Sequence, residues 1–166
     1  MEKLEPELLR VHKGKSFVGV STAVAIFNHK GKLFLAQRSE NTRDEHGRWD
    51  VCGGGLKWGE TIENNSRREM NEEFAVESES DLIPVGYRQA FRTDQNGHKT
   101  HWICMDSAII LNENEAKLVK INEPENFDNS GWFDLDNLPS PMHSVIDDAY
   151  IGRLKNVISD LGIDKA

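Results

Sequence analysis

Apolar residues recur along this chain in two rhythms. Residues 17–27 (FVGVSTAVAIF) are β-branched and apolar and predict a buried strand. His29-Lys30-Gly31 predicts a turn, with Lys32–Arg38 (KLFLAQR) as the partner strand of a hairpin. Polar Ser39–Arg48 predicts a loop. Trp49–Cys52 predicts a short strand ended by Gly53-Gly54-Gly55, and Leu56-Lys57-Trp58 another, closed by Gly59. The rhythm then changes. Over Thr61–Ala75, Ile62, Met70 and Phe74 lie four or eight apart and share one face with Ser66, which predicts a helix. Residues 82–92 and 100–111 predict two strands joined through Asp94-Gln95-Asn96-Gly97. Shorter strands are expected near 117–121 and 131–135, with Pro139 and Pro141 stopping the second. Ser144 is a candidate N-cap for a last helix, with Asp147 and Asp148 in its first turn. Ile146, Ala149, Tyr150, Leu154, Val157, Ile158 and Leu161 then keep a helical period. Residues 1–16 and 112–130 carry the least periodicity. The order of strands, helix, strands, helix predicts one α+β domain over 1–166, with a mixed sheet between helices.

Composition narrows the partners. A chain of 166 residues buries about 70% of its unfolded surface, enough for a real core. The longest apolar run, Ala23 to Phe27, is too short to cross a membrane, and the acidic start MEKLEPELLR lacks the apolar stretch of a signal peptide. With two cysteines, Cys52 and Cys104, the chain has no disulfide framework, and a cytoplasmic location is expected. The net charge is −8, which excludes a protein that coats nucleic acid, since neutralising phosphates needs clustered Lys and Arg. That charge is uneven: residues 1–60 carry +2 and residues 61–166 carry −10.

Part of the acidic excess is chemistry. Glu69, Glu72 and Glu73 stand at i, i+3 and i+4, so three carboxylates crowd one helical face. Two such charges ~5 Å apart repel by about 3 kcal/mol at an effective dielectric of ~20. Arg68 can pair with Glu72 one turn on, but one cation cannot neutralise three acids. A divalent cation can, and oxygen-only ligands select Mg²⁺, or Mn²⁺ in its place, over zinc. A Gly-rich turn and Glu60 lead into the helix, where backbone groups can approach a ligand closely.

From Gly54 the chain reads Gly, five residues, Glu60, seven residues, then Arg68-Glu69-Met70-Asn71-Glu72-Glu73-Phe74-Ala75-Val76. This resembles the Nudix box, here residues 54–76, the signature of hydrolases acting on nucleoside diphosphates linked to another moiety. One fixed position departs: Ala75 stands where the family has Gly, which touches the end of the helix and not the acids. The resemblance runs over roughly 17–160. The late stretch Asn122-Glu123-Pro124-Glu125, Gly131-Trp132-Phe133 and Leu138-Pro139 is similar to MutT-like nucleotide pyrophosphohydrolases. It implies an α/β/α sandwich around a central mixed sheet. It also implies that Glu72 and Glu73 are the main metal ligands, joined by the Gly54 carbonyl, with Glu69 a further ligand or the general base. Glu60 and Arg68 would form the supporting ion pair. The base is either Glu69 or an acid of the late loop, Glu123 or Glu125.

The substrate expected is a small nucleoside di- or triphosphate derivative, bound as monomer or homodimer. Arg38 at a strand end and Arg92 on the later hairpin are candidates for phosphate contacts, and Trp132 for stacking on a base. Arg43, Arg48 and Arg88 are weaker candidates. Phe27, Phe34 and Trp102 are expected in the core. The leading function is Mg²⁺-dependent cleavage of a nucleoside triphosphate to monophosphate and pyrophosphate. The alternatives are a nucleotide-sugar or ADP-ribose pyrophosphatase, a non-catalytic nucleotide-binding domain, and an isomerase of isoprenoid diphosphates using Cys52.

Overall fold

Alternate residues of the first strand feed two separate cores, and that alternation organises the molecule. In the computed structural model, which describes residues 5–94 and 96–163, β1 spans Gly19–Phe27. Its odd residues Ala23, Ala25 and Phe27 face one cluster, and Val24 and Ile26 face the other. β1 pairs in parallel with β6 (Lys99–Ile110) along its whole length and antiparallel with β4 (Cys52–Gly55) over Ser21–Val24. β2 (Leu33–Arg38) joins β1 at Phe27 and carries β3 (Trp49–Asp50) and β7 (Phe127–Phe133). β5 (Ile83–Thr93) pairs with the free side of β6 and forms an edge of this seven-stranded mixed sheet.

Helices close both faces. α2 (Ile62–Phe74) covers one core with Met70 and Phe74, the latter edge-on to Phe34 at 5.1 Å between ring centroids. α4 (Asp148–Asp160) covers the other with Tyr150, Leu154 and Ile158, all buried. The result is the α/β/α sandwich that the resemblance implies. Ahead of β1, α1 (Pro6–His12) ends in a turn that lies against β6, where the His101 N–H donates to the Gly14 carbonyl (2.8 Å).

Several expected elements differ. The strand expected over Trp49–Cys52 breaks at Val51, and Gly53–Gly55 do not end it but form most of β4. Leu56-Lys57-Trp58 is not a strand: Leu56 and Lys57 are irregular and lead into a turn at Trp58-Gly59. The segment near 117–121 is not a strand: α3 (Glu113–Leu118) forms because Asn112 and Glu115 make a capping box. β7 begins earlier than expected, at Phe127, and stops at Phe133. Ser144 does not cap the last helix. Its hydroxyl donates to Glu45 (2.6 Å), and Asp147 is the N-cap, accepting from the Tyr150 N–H (2.8 Å). Gln95 of the expected turn, the start of MEKLEPELLR and the last three residues lie outside the described residues. Cys52 and Cys104 are free thiols. Among the described residues no helix is long and apolar enough to cross a membrane.

Candidate active site

The glycines of β4 and the acids of α2 meet because α2 crosses directly over that strand. Glu73 Oε2 accepts from the Gly53 N–H (3.0 Å). Gly53 must lack a side chain, since a Cβ there would collide with the Thr22 backbone carbonyl, and a Cβ at Gly54 would displace the Glu69 carboxylate. Buried Asn65, one turn before Glu69, donates to Thr22 Oγ1 (2.7 Å) and to the Gly54 carbonyl (3.3 Å), fixing the strand against the helix.

Arg68 organises the acids. Its Nε and Nη2 donate to the two oxygens of Glu60 (2.8 and 3.2 Å), and Nη2 also to Asn65 Oδ1 (2.5 Å). Its Nη1 bridges Glu69 (2.7 Å) and Glu72 (2.8 Å). A guanidinium carries about five N–H donors, so all are engaged. The hydrogen bonds to Glu60 are the main reason the guanidinium is held more firmly protonated than usual. Glu69 and Glu73 go the other way. Burial lifts the Glu69 carboxyl above its ordinary range despite Arg68. It lifts Glu73 further, against the Gly53 N–H that favours its charged form.

Three carboxylates and a peptide carbonyl are hard oxygen donors of the kind Mg²⁺ and Mn²⁺ take. Among the described residues no three acidic, His or Cys groups already enclose a point, because Arg68 Nη1 spans Glu69 and Glu72. The donor chemistry therefore fits a divalent cation, with Arg68 giving way at Nη1.

On the opposite side of β4 opens a cavity of about 250 Å³, floored by Gly53–Gly55 and walled by Arg38, Arg43, Arg88 and Arg92. The arginines have different tasks. Arg88 grips buried Asp106 with Nε and Nη2 at 2.8–3.0 Å and lies over the Tyr150 ring at 4.0 Å, so its charge is spent inside the fold. Arg38, Arg43 and Arg92 converge on Asp44, at 3.5, 3.1 and 3.2 Å. Burial alone would raise the Asp44 carboxyl, but Arg43, Arg92 and Arg38 together bring it below the usual carboxylate range. Arg38 also reaches Asp50 (3.4 Å). Arg92 Nη1 donates to His143 Nε2 (3.1 Å), an acceptor role that suits a ring kept neutral by burial. Arg92 Nε is buried with no hydrogen-bond partner.

Arg38 and Arg92, expected as phosphate contacts, thus share one wall, and Arg43 joins them. Arg48 does not: it holds the 39–48 loop by pairing with Glu45 (3.1 Å) and the Met142 carbonyl (2.8 Å). Trp132 lies elsewhere: it is partly buried against the core under α2, edge-on to Phe34 at 5.1 Å, and is not among the residues lining this cavity. Trp102, expected in the core, lines the cavity instead, with the Arg43 guanidinium 5.5 Å from its ring centroid. The late loop is fastened beside the end of α2, where Asn122 Nδ2 donates to the Glu72 carbonyl (3.0 Å). There Glu123 accepts from Asn126 (2.8 Å) and the Glu125 side chain is exposed. Burial pushes the Cys52 thiol well up, beside Glu73, an environment that disfavours the thiolate a nucleophile needs. Asn65, Asp44, Asp50, Trp102 and His143 gave no clear functional signal in the sequence. Only the Arg-Asp pair at 43–44 is a local hint, and it reads equally as solvation.

Known proteins resemble this chain in sequence and in fold. Residues 18–153 match the family model described as NUDIX domain. The chain is 27% identical over 152 residues to an RNA pyrophosphohydrolase of Bartonella henselae, covering 79% of this chain and 84% of that protein. The crystal structure of a MutT NUDIX hydrolase from Burkholderia pseudomallei superimposes with a TM-score of 0.67 at 26% identity, over 85% of this chain and 98% of that one. The NUDIX domain of Shewanella oneidensis NrtR, complexed with ADP ribose, has the same fold, with a TM-score of 0.66 at 18% identity over 94% of this chain and 99% of its own.

Proposed function

The chain belongs to the NUDIX domain family, hydrolases of nucleotide diphosphate linkages, and on that footing we propose that it is a Mg²⁺-dependent enzyme cleaving a nucleoside triphosphate to monophosphate and pyrophosphate. The observation that carries this reading is the shared floor: the Gly53–Gly55 strand is faced by the acids of α2 on one side and by the arginine-walled cavity on the other. Among the described strands β4 pairs only with β1, so a polyphosphate passing round its other edge would meet both.

In this reading Glu69, Glu72, Glu73 and the Gly54 carbonyl hold the cation. When bound, it polarises phosphoryl oxygens and acidifies a water. The chain's own residues do the rest. Arg68 is a positioning residue that sets Glu69 and Glu72 and is itself set by Glu60 and Asn65. Glu69, half-buried and raised by its surroundings, is the nearer candidate for taking a proton from the attacking water. Glu123, on the loop tied to the end of α2, is the second candidate, and exposed Glu125 the third. Arg38, Arg43 and Arg92 bind phosphate oxygens, for which a guanidinium fork is suited. Trp102 offers the base a ring face.

A second reading has an observation of its own. The Bartonella henselae relative is named an RNA pyrophosphohydrolase, and releasing pyrophosphate from RNA requires a polyphosphate on the chain's end. The two readings share the chemistry. They differ in whether the nucleotide that bears the polyphosphate is free or is the first of an RNA chain.

The test is a panel of nucleoside triphosphates, nucleotide sugars, ADP-ribose and a 5′-triphosphorylated oligoribonucleotide, incubated with Mg²⁺ in ¹⁸O-labelled water. Mass spectrometry of the products identifies substrate and attacked phosphorus together. Nucleoside triphosphates are expected to turn over, with pyrophosphate released. Turnover of the oligonucleotide alone would favour the second reading, and no turnover at all would refute both. Glu72→Gln separates enzyme from sensor: an enzyme loses rate by about 100-fold or more, a sensor only affinity.

A further inference from the structure

The matched family region begins at residue 18. Ahead of it, Lys13 lies beside the site, next to Gly55 and Trp102, two residues that line the cavity. Lys13 follows α1, and its Nζ donates to the carbonyl of Leu56, the residue after β4. It lies 5.9 Å from the Trp102 ring centroid, on the indole that Arg43 also approaches. The fixed charges it senses most are those of the box: Glu60, Arg68 and Glu69.

The placement is built rather than incidental. Lys13 forms a bridge with Phe17, and the Gly14 N–H donates to the Phe17 carbonyl (2.8 Å). Gly14 has φ +76°, and a Cβ there would run into the Trp102 indole, so the turn can lie flat on that ring only as glycine. Its carbonyl accepts from the His101 N–H (2.8 Å), and Lys15 pairs with Asp94 (3.3 Å) two residues on. Three fastenings therefore hold the backbone that carries Lys13.

What Lys13 lacks is a counter-ion. Among the described residues it makes no ion pair, although it is half-buried. An ammonium has about three donors, and the Leu56 carbonyl takes one. Its contact neighbours are a peptide carbonyl and an indole face, and the carboxylates of Glu60 and Glu69 favour its charge only from beyond ion-pair distance, so the cation is incompletely compensated until a further anion arrives.

We propose that Lys13 is a phosphate-binding residue of the substrate cleft, carried there by the segment ahead of the shared domain, and that it contacts the nucleotide's polyphosphate beside Gly55. This role rests on the hydrolase reading of the site. The rival role is a staple that merely ties the segment to Leu56.

Steady-state kinetics and calorimetry with Mg²⁺ and inorganic pyrophosphate on Lys13→Met and Lys13→Arg separate the two. Lys13→Met should raise KM about tenfold with kcat changed far less, and weaken pyrophosphate binding by a similar factor, as loss of a hydrogen bond to a charged group would. Lys13→Arg should recover most of both. A Lys13→Met protein that melts lower but keeps wild-type KM and pyrophosphate Kd would make Lys13 a staple and overturn the proposal. So would a Lys13→Arg protein as impaired as Lys13→Met. If wild type binds pyrophosphate but turns over no nucleotide, the hydrolase reading fails while the Kd comparison still decides Lys13. Wild type that binds no pyrophosphate, with KM unmoved in Lys13→Met, also overturns the proposal.

Discussion

At the scale of single residues, Arg68 decides more than any other side chain of the box. Its donors satisfy Glu60, Asn65, Glu69 and Glu72 at once, and Asn65 in turn holds the Gly54 carbonyl. A lysine has the same charge but a single ammonium, so it cannot span Glu60 on one side and the Glu69–Glu72 pair on the other. Arg68→Lys is therefore expected to lower kcat by about 10–100-fold, the usual effect of removing a residue that orients metal ligands, and to raise the Mg²⁺ concentration giving half-maximal rate. KM for the nucleotide should move little, because Arg68 faces the acids and not the cavity. A Mg²⁺ titration of activity in both proteins checks this. An unchanged midpoint would mean that Arg68 does not position the ligands. Much of this is legible in the sequence: the Glu60–Arg68 and Arg68–Glu72 pairings follow from spacing and resemblance, and both are present. Asn65 is not legible, because a polar residue in a polar helical stretch gives no sign that it will be buried.

At the scale of elements, the box helix ends where the resemblance departs from pattern. Ala75 caps α2 in the left-handed region, φ 54° and ψ 32°, with its N–H donating to the Asn71 carbonyl (3.0 Å) and that of Val76 to Met70 (3.1 Å). Buried Phe74 and Val76 on either side force the turn. A side chain in that conformation costs roughly 1–2 kcal/mol relative to glycine. Ala75→Gly is thus expected to stabilise the protein by about 1 kcal/mol, raising the melting temperature by roughly 2–4 °C for a domain of this size. Differential scanning calorimetry reads this directly, and a lower melting temperature would mean that the added freedom of the unfolded glycine chain outweighs the relief. Elements with strong local signals are legible: β1, α2 and the β5–β6 pair lie close to where apolar rhythm puts them. The expected strand near 117–121 fails because the apolar Leu118, Val119 and Ile121 suggest a strand locally, while the capping box at Asn112 and Glu115 starts a helix that runs to Leu118. That capping signal is in the sequence, and it outranks a short apolar stretch.

At the scale of the whole molecule, the acids of the box and the arginine wall of the cavity are unequally visible for a topological reason. The box is one continuous segment, so its spacing is its geometry. The cavity wall is assembled from β2, the 39–48 loop, β5, β6 and the stretch before α4, and the parallel β1–β6 pairing that gathers them is invisible in local pattern. The same division explains the charge. The chain carries −8 overall, yet Arg38, Arg43 and Arg92 gather around one carboxylate, while Glu69 and Glu72 share a single arginine and Glu73 accepts only from the Gly53 N–H. The box face is thus the uncompensated side, and a divalent cation there should stabilise the folded state, because the unfolded chain does not hold the three acids together. Binding adds RT ln(1 + [Mg²⁺]/Kd), about 2.7 kcal/mol at a hundredfold excess over Kd. For a domain of this size that is a rise of roughly 5–10 °C in melting temperature. Thermal melts from zero to tens of millimolar MgCl₂, with KCl at matched ionic strength as control, should show the rise in wild type. They should show most of it lost in a Glu72→Gln, Glu73→Gln double variant. General screening would instead move both proteins equally in Mg²⁺ and in KCl. A wild-type melting temperature that stays flat through this range would exclude α2 as the metal-binding face, and with it the division of labour between an acidic helix and a basic cavity across the Gly53–Gly55 strand.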